Sequence, residues 1–256
     1  TVTVTVQDVN EAAPVFTAGE TATATPNENQ QAVGTYAATD ADGSATQTYS
    51  ILTAEQNAAS VDHDLFSVAG GGVLTFQASP NYEDAGCGAG DNSNTCAVVI
   101  QVTDGANTDT ITVTVNVQDV NEAAPVFTAG ETGTSTPNEG TTAAGTFAAT
   151  DTDGTATQTY SILTAAQNAA SVDHDLFSVG AGGVLAFSSA PDFETPGCGA
   201  GDNSNTCAVV IQVTDGANTD TITVTVTVQD LNDETPAFTS SGTPSINENV
   251  RNVLTL

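Results

Sequence analysis

The sequence predicts an all-β chain built from tandem Ig-like Greek-key β-sandwiches, about seven strands each, arranged end to end. Three observations predict it. A motif of the form Asp-x-Asn-acidic-x-x-Pro-x-Phe occurs at Asp8 to Phe16, Asp119 to Phe127 and Asp230 to Phe238, with equal offsets: 119 − 8 = 111 and 230 − 119 = 111. Between the copies lie short alternating or β-rich runs bounded by Gly, Asp and Asn, with turn signals roughly every 8–12 residues. No long segment carries the 3.6-residue period of a helix.

The period sets two full repeats, residues 12–122 and 123–233, each in the common size range of a domain. Thr1 to Gln7 alternates Thr and Val, as Ile111 to Val117 and Ile222 to Val228 do. Residues 1–11 are therefore read as the last strand and exit linker of a preceding repeat. Residues 234–256 are read as the start of a further one, because Ile246-Asn247-Glu248-Asn249 resembles Pro26-Asn27-Glu28-Asn29. The chain is thus expected to be a piece of a longer protein, with no secretory leader at its start.

Within the first repeat, Val15-Phe16 opens a strand after the Pro, and Glu28 marks an acidic turn. Thr35 to Thr39 and Thr48 to Leu52 are β-rich runs flanking Asp40-Ala41-Asp42-Gly43, whose Asp and Gly favour a turn. Ala54 to Ser60 is Ala-rich and is expected to form one helical turn. Leu65 to Val68 and Val73 to Phe76 are short strands around Gly70-Gly71-Gly72. Ala97 to Thr103 and Thr110 to Val117 form a last pair joined by Asp104-Gly105-Ala106-Asn107.

Thr, Val and Ala dominate the composition; there is no Trp or Met, Arg251 is the one basic residue, and the net charge is −30. Such a chain repels nucleic-acid phosphates and anionic membranes, so neither is an expected partner. It holds no run of 18 apolar residues that could span a membrane. The acids are interleaved with strand patterns, which argues against disorder. Clustered carboxylates instead call for a counter-charge. Each copy of the motif sets hard oxygen ligands at a seam between repeats, the donor type Ca²⁺ takes.

Cys87 and Cys96 are separated by 96 − 87 = 9 and Cys198 and Cys207 by 207 − 198 = 9, and the two pairs are offset by 198 − 87 = 111. Each pair closes a Gly/Asn/Asp loop before a strand, so local disulfides Cys87–Cys96 and Cys198–Cys207 in an oxidising compartment are expected. A zinc site would need CxxC spacing or His partners, and the pairs have neither.

Five short acidic motifs per repeat, in order and at a fixed period, resemble the cadherin repeat in its bacterial form. Pro26-Asn27-Glu28-Asn29 and Pro137-Asn138-Glu139 look like the family's early Glu motif. Asp40-Ala41-Asp42 and Asp151-Thr152-Asp153 look like its Asp-x-Asp motif, and Asn81-Tyr82-Glu83 and Asp192-Phe193-Glu194 like its Asp-x-Glu motif. Asp104-Gly105-Ala106 and Asp215-Gly216-Ala217 look like its Asp-x-Ala turn, and the nine-residue motif like its linker.

The resemblance implies calcium at the junctions. The complete junction would gather Glu28, Asn81, Glu83, Asp119, Asn121, Glu122, Asp151, Asp153 and Asp215, with the backbone carbonyl of Ala123. Asp8, Asn10, Glu11, Asp40, Asp42 and Asp104 would form half of an upstream junction. Glu139, Asp192, Glu194, Asp230, Asn232 and Asp233 would form half of a downstream one. Asn81 departs from the family's Asp, which removes one charge from its ion position.

The resemblance therefore implies a Ca²⁺-stiffened adhesion or spacer module of a large bacterial surface or secreted protein, extracellular, with calcium and neighbouring repeats as partners. Contact with a cell-surface protein or polysaccharide would follow. Strand exchange through an anchoring Trp is excluded by composition. A calcium-dependent carbohydrate-binding module is the alternative, but it is poorly served by a chain without Trp. An enzyme is not expected, because no nucleophile–base constellation is visible. His63 and His174, each in Asp-His-Asp, are read as turn residues, and Tyr49, Tyr160, Phe66 and Phe177 as core. Asp109, Asp220 and Glu131 are read as solvated surface acids.

Overall fold

The structure is a computed structural model that describes residues 2–5, 9–42, 46–88, 93–154, 157–199 and 203–237. It is all-β, with eighteen strands among the described residues and 3-10 turns at His63–Leu65, His174–Leu176 and Ala181–Gly183. In the first repeat the strands are β1 (Val15–Phe16), β2 (Thr21–Ala24), β3 (Ala32–Thr35), β4 (Ala38–Thr39), β5 (Thr48–Ile51), β6 (Phe66–Ala69), β7 (Val73–Phe76), β8 (Thr95–Thr103) and β9 (Thr108–Asn116). One sheet runs β2-β9-β8-β5 and the facing one β3-β7-β6, with β1 paired to β4. The second repeat has β10 (Val126–Phe127), β11 (Thr132–Ser135), β12 (Ala143–Thr146), β13 (Ala149–Thr150), β14 (Thr159–Ile162), β15 (Phe177–Gly180), β16 (Val184–Phe187), β17 (Thr206–Thr214) and β18 (Thr219–Thr227), with matching sheets β11-β18-β17-β14 and β12-β16-β15 and the pair β10-β13.

The hairpin β8–β9 forms the centre of the first core because its sequence alternates. Its β-branched residues suit a pleated, half-buried surface. Val98, Val99, Ile100, Val102, Ile111, Val113 and Val115 are fully buried, while Thr112 and Thr114 between the β9 residues are not. Phe16, Phe66, Leu74 and Phe76 join the same core, with the Phe66 and Phe76 rings 4.6 Å apart.

β2 has no strand-like sequence, since Thr-Ala-Thr-Ala lacks large β-formers. It forms by pairing in parallel with β9, from Thr21 opposite Thr112 to Ala24 opposite Val115. The pairing continues past Pro26 as a parallel bridge between Asn27 and Gln118. Another local requirement is met by Gly72, at φ 76°: a Cβ there would lie 1.9 Å from the Tyr36 carbonyl oxygen. Gly183 stands in the same relation to Phe147 in the second repeat.

Val2 to Thr5 form no strand with any described residue, and Val2 and Val4 are 91% and 79% exposed. Thr1, Val6 and Gln7 lie outside the described residues, as does the expected further repeat beyond Ala237. At Ala54 to Ser60 the expected helical turn is a single one: the Gln56 and Asn57 N–H groups reach back to the Thr53 carbonyl at 3.0 and 2.9 Å before the chain turns at Ser60. The two main sheets of each repeat hold seven strands, as expected, and a two-residue pair, β1–β4 or β10–β13, adds to them.

Two compact units emerge from the contacts. The first contains residues 1–126, 149–159 and 213–220; the second contains 127–148, 160–212 and 221–256. The linker after β9 and the acidic turns at Asp151 to Asp153 and at Asp215 therefore belong to one unit.

Candidate metal centre

The parallel bridge at Asn27 and Gln118 delivers Glu28 to the linker. Glu28 N–H donates to the Gln118 carbonyl at 3.0 Å, and Gln118 N–H to the Pro26 carbonyl at 2.9 Å. The Glu28 side chain is then 1% exposed. Its Oε1 accepts the Val120 N–H at 2.9 Å and its Oε2 the Tyr82 N–H at 2.8 Å. One buried carboxylate so ties the linker to the Asn81–Glu83 turn.

Glu83 and Glu122 join Glu28, and the three offer oxygens that all lie within 4.8 Å of one another. Glu122 Oε1 accepts from Asn29 Nδ2 at 2.7 Å. Asn29 sits at φ 60°, a left-handed conformation that Asn tolerates better than most residues. Loss of hydration, then the charges of Glu28, Asp119 and Glu122, raise the Glu83 carboxyl above the usual carboxylate range. A cation would relieve both causes.

Asn81, expected as a ligand, uses its Oδ1 to accept the Glu83 N–H at 2.9 Å and the Asp84 N–H at 3.2 Å. It shapes the turn that presents Glu83. Asp192 does the same for Glu194 and Thr195.

Farther along the linker, Ala123 N–H donates to Asp153 Oδ2 at 2.8 Å, and Asp153 N–H to Asp151 Oδ1 at 3.1 Å. The other oxygen of Asp151, Oδ2, is buried without a hydrogen-bond partner. The Asn121 amide faces Asp153 Oδ2 and Asp215 Oδ2; with its nitrogen turned toward them it donates at 2.9 and 3.0 Å. With its oxygen turned the same way, three oxygens would face one another, an arrangement that a bound cation would neutralise. The Ala123 carbonyl, expected as a backbone ligand, accepts from Asn218 Nδ2 at 2.8 Å. Asp215 Oδ1 accepts the Asn218 and Ala217 N–H groups at 2.6 and 2.7 Å. The Asn218 N–H first, with the other donors, holds the Asp215 carboxyl below the usual range, against its partial loss of water.

The upstream half repeats this second geometry. Asn10, with its nitrogen turned inward, donates to Asp42 Oδ2 at 3.2 Å and Asp104 Oδ2 at 3.1 Å. Ala12 N–H donates to Asp42 Oδ2 at 2.7 Å, and Asp40 Oδ2 is buried without a hydrogen-bond partner. Asp104 is held low by the Asn107 N–H and neighbouring donors. Glu11 is exposed, and Asp8 lies outside the described residues.

The downstream half repeats the first geometry. Glu139 accepts the Leu231 and Phe193 N–H groups at 2.7 and 2.6 Å. Glu139, Glu194 and Asp230 form one carboxylate group, and Glu194, Asp233 and Glu234 another. Asn232 is exposed. Loss of hydration, with Glu139, Asp230 and Asp233, raises the Glu194 carboxyl.

Sequence reasoning missed Glu234, Asn29, Asn107 and Asn218. Glu234 could have been found, since 234 − 123 = 111 places a carboxylate where the first linker has Ala123. Asp109 is not a solvated acid: its Oδ2 accepts the Phe16 N–H at 2.9 Å. His63 is a turn residue, with Nδ1 2.9 Å from the Ser60 carbonyl oxygen and Nε2 3.3 Å from Asp64.

The donor set is made only of oxygens, and it includes buried Asp40 and Asp151 oxygens lacking hydrogen bonds. That set fits a hard cation such as Ca²⁺. The local disulfides Cys87–Cys96 and Cys198–Cys207 are both present.

No family model and no curated protein matches the sequence. Solved structures do resemble the fold. Mouse cadherin-23 EC22-24 aligns with TM-score 0.57 and 18% identity over 88% of this chain and 67% of that one. Drosophila N-cadherin EC1-4 aligns with TM-score 0.62 and 17% identity over 85% and 50%. Human protocadherin-24 EC1-2 aligns with TM-score 0.59 and 17% identity over 87% and 100%. The chain spans about half the length of the Drosophila structure. At these identities the likeness is one of fold: the sandwiches are cadherin-like.

Proposed function

We propose that this chain is a Ca²⁺-binding spacer or adhesion module of a secreted or surface-attached protein, with repeats 12–122 and 123–233. Glu28, Glu83, Asp119 and Glu122 would hold ions on one side of the linker. Asn121, Asp151, Asp153 and Asp215 would hold one on the other. Asn81 and Ala123 act first through the turn and the Asn218 hydrogen bond, and ligation by either would be additional. The supporting observations are the buried, hydrogen-bond-free Asp151 oxygen and the Asn121 amide facing the Asp153 and Asp215 carboxylates.

Bound Ca²⁺ supplies charge neutralisation and no reaction chemistry. The chain's own part is to fix the oxygens: Glu28 through two N–H groups, Asp215 through its tight turn, Asp153 through the Ala123 N–H. Removing the ions would leave like charges along the linker and loosen it, so stiffness would depend on calcium. The two disulfides agree with an extracellular place of work. Adhesion would then be contact with another surface, by binding and not catalysis.

Calorimetric titration of the chelator-treated protein with Ca²⁺ tests the reading. Saturable binding that Asp151→Asn weakens supports it. Absence of saturable binding overturns it.

A further inference from the structure

Asp62 stands apart from the linker sites, is 4% exposed, and immediately precedes the 3-10 turn His63–Leu65. Its Oδ1 accepts the Gly88 N–H at 2.7 Å and its Oδ2 the Ala97 N–H at 2.7 Å. Gly88 follows Cys87 and Ala97 follows Cys96, so one carboxylate grips the backbone just beyond both cysteines. Asp62 N–H also donates to the Ala97 carbonyl at 3.1 Å, and Ser60 Oγ accepts the Val99 N–H at 3.0 Å. The cysteine Cα atoms are 4.7 Å apart. The second repeat has the same clamp: Asp173 accepts from Gly199 at 2.8 Å and from Ala208 at 2.7 Å, beside Cys198 and Cys207.

We propose that Asp62 and Asp173 are positioning residues for disulfide closure, holding each cysteine pair in register before the sulfur–sulfur bond forms. Only a carboxylate offers two acceptor oxygens to two N–H groups; Asn offers one. The oxidant is a thiol-exchanging disulfide such as glutathione disulfide. The Cys87 thiolate attacks it, forming a mixed disulfide and releasing one glutathione thiolate. The Cys96 thiolate then attacks the Cys87 sulfur and releases the second. Two cysteine thiol protons are lost, and the reagent disulfide is reduced to two thiols. Orientation converts the second attack into an intramolecular step of high effective concentration.

The reduced protein, equilibrated in glutathione buffers and alkylated, reports each pair separately by peptide mass spectrometry. In Asp62→Asn the Cys87–Cys96 equilibrium should move on the order of tenfold toward the thiols, the factor carried by one charge-assisted hydrogen bond. Cys198–Cys207 in the same chain should not move, and Asp173→Asn should reverse the pattern. A purely structural aspartate would lower the denaturation midpoint and leave both equilibria alone, which overturns the proposal. A second measurement needs no variant: in the reduced wild-type chain the Gly88 and Ala97 amides should stay protected from hydrogen exchange. Loss of both protections on reduction would mean that the disulfide holds the clamp, and the proposal fails.

Discussion

Glu28→Gln separates two opposing roles of one buried side chain. The carboxylate accepts two backbone N–H groups, at 2.9 Å from Val120 and 2.8 Å from Tyr82. Glutamine keeps one acceptor and turns an NH₂ toward the other N–H. Hydrogen bonds to charged groups contribute about 1.5–3 kcal/mol, so the substitution costs roughly 2–3 kcal/mol. Against this, Glu28 lies within 4.8 Å of the Glu83 and Glu122 oxygens. Each like-charge pair at that separation costs about 1 kcal/mol at the dielectric constant of water, so relief of two pairs returns about 2 kcal/mol. In chelator at low salt the two effects nearly cancel. In 1 M salt the screening length is about 3 Å, shorter than the separation, and the hydrogen-bond loss remains. Denaturant unfolding in chelator should therefore show a destabilisation of the first repeat that grows with salt to about 2–3 kcal/mol. Glu139→Gln should do the same to the second repeat. A variant as stable as wild type, or more stable, in high salt would refute the clamp and leave Glu28 as a repelling charge alone.

Further outcomes follow from the same geometry. Asn81→Asp should leave the fold intact, because Asp192 makes the same turn, and should tighten the weakest Ca²⁺ site by calorimetry; an unchanged titration curve would show that position 81 contributes nothing to ion binding. Glu83 is raised above its usual range in the folded chain, so its contribution to stability is present below the unfolded pKa and lost as pH rises through the folded one. In chelator, Glu83→Gln should flatten that loss in a pH series of denaturation midpoints. Asp104 and Asp215 are depressed, so theirs is present above the unfolded pKa and lost as pH falls through the folded value, and Asp215→Asn should remove part of the acid-side decline. Removing the Cys87–Cys96 disulfide by paired Ala substitution should cost about 2–3 kcal/mol by loop entropy, read by denaturant unfolding.

The fold is legible where side chains carry the information. Ile111 to Val115 alternates because one face is core, and that alternation is visible in the residues alone, whereas Val98 to Ile100 is an apolar run buried throughout. β2 is not legible, because Thr21–Ala24 holds no large apolar residue; its partner, β9, makes it a strand. A strand is a property of a pair, and a single segment shows only one member of it. The helical turn at Ala54 to Ser60 goes no further than one turn, because Ala propensity is a weak prior and the chain turns at Ser60 and Asp62, whose side chains accept β8 N–H groups.

The acidic residues are legible as a set, but their division of labour is not. Sequence spacing treats Glu28, Glu83 and Asp215 alike, as carboxylates awaiting a cation. In the folded chain Glu28 and Asp215 are largely occupied by backbone N–H groups, and Glu83 is presented by the Asn81 turn. The difference lies in where donors fall after folding. Glu28 meets Val120 from 92 positions away and Tyr82 from 54, contacts that no local pattern encodes. A linker carboxylate gripped by two N–H groups keeps its position when its counter-charge leaves. An exposed one such as Glu122, which accepts from the Asn29 amide, depends more on that charge. Loosening on calcium removal should accordingly begin at Glu122 and spare Val120. Amide exchange in chelator should show Val120 still protected while the Ala123 N–H, which donates to Asp153, exchanges faster than with Ca²⁺. Equal exchange at Ala123 in both conditions would mean that the linker is fixed by hydrogen bonds alone and owes nothing to the ion.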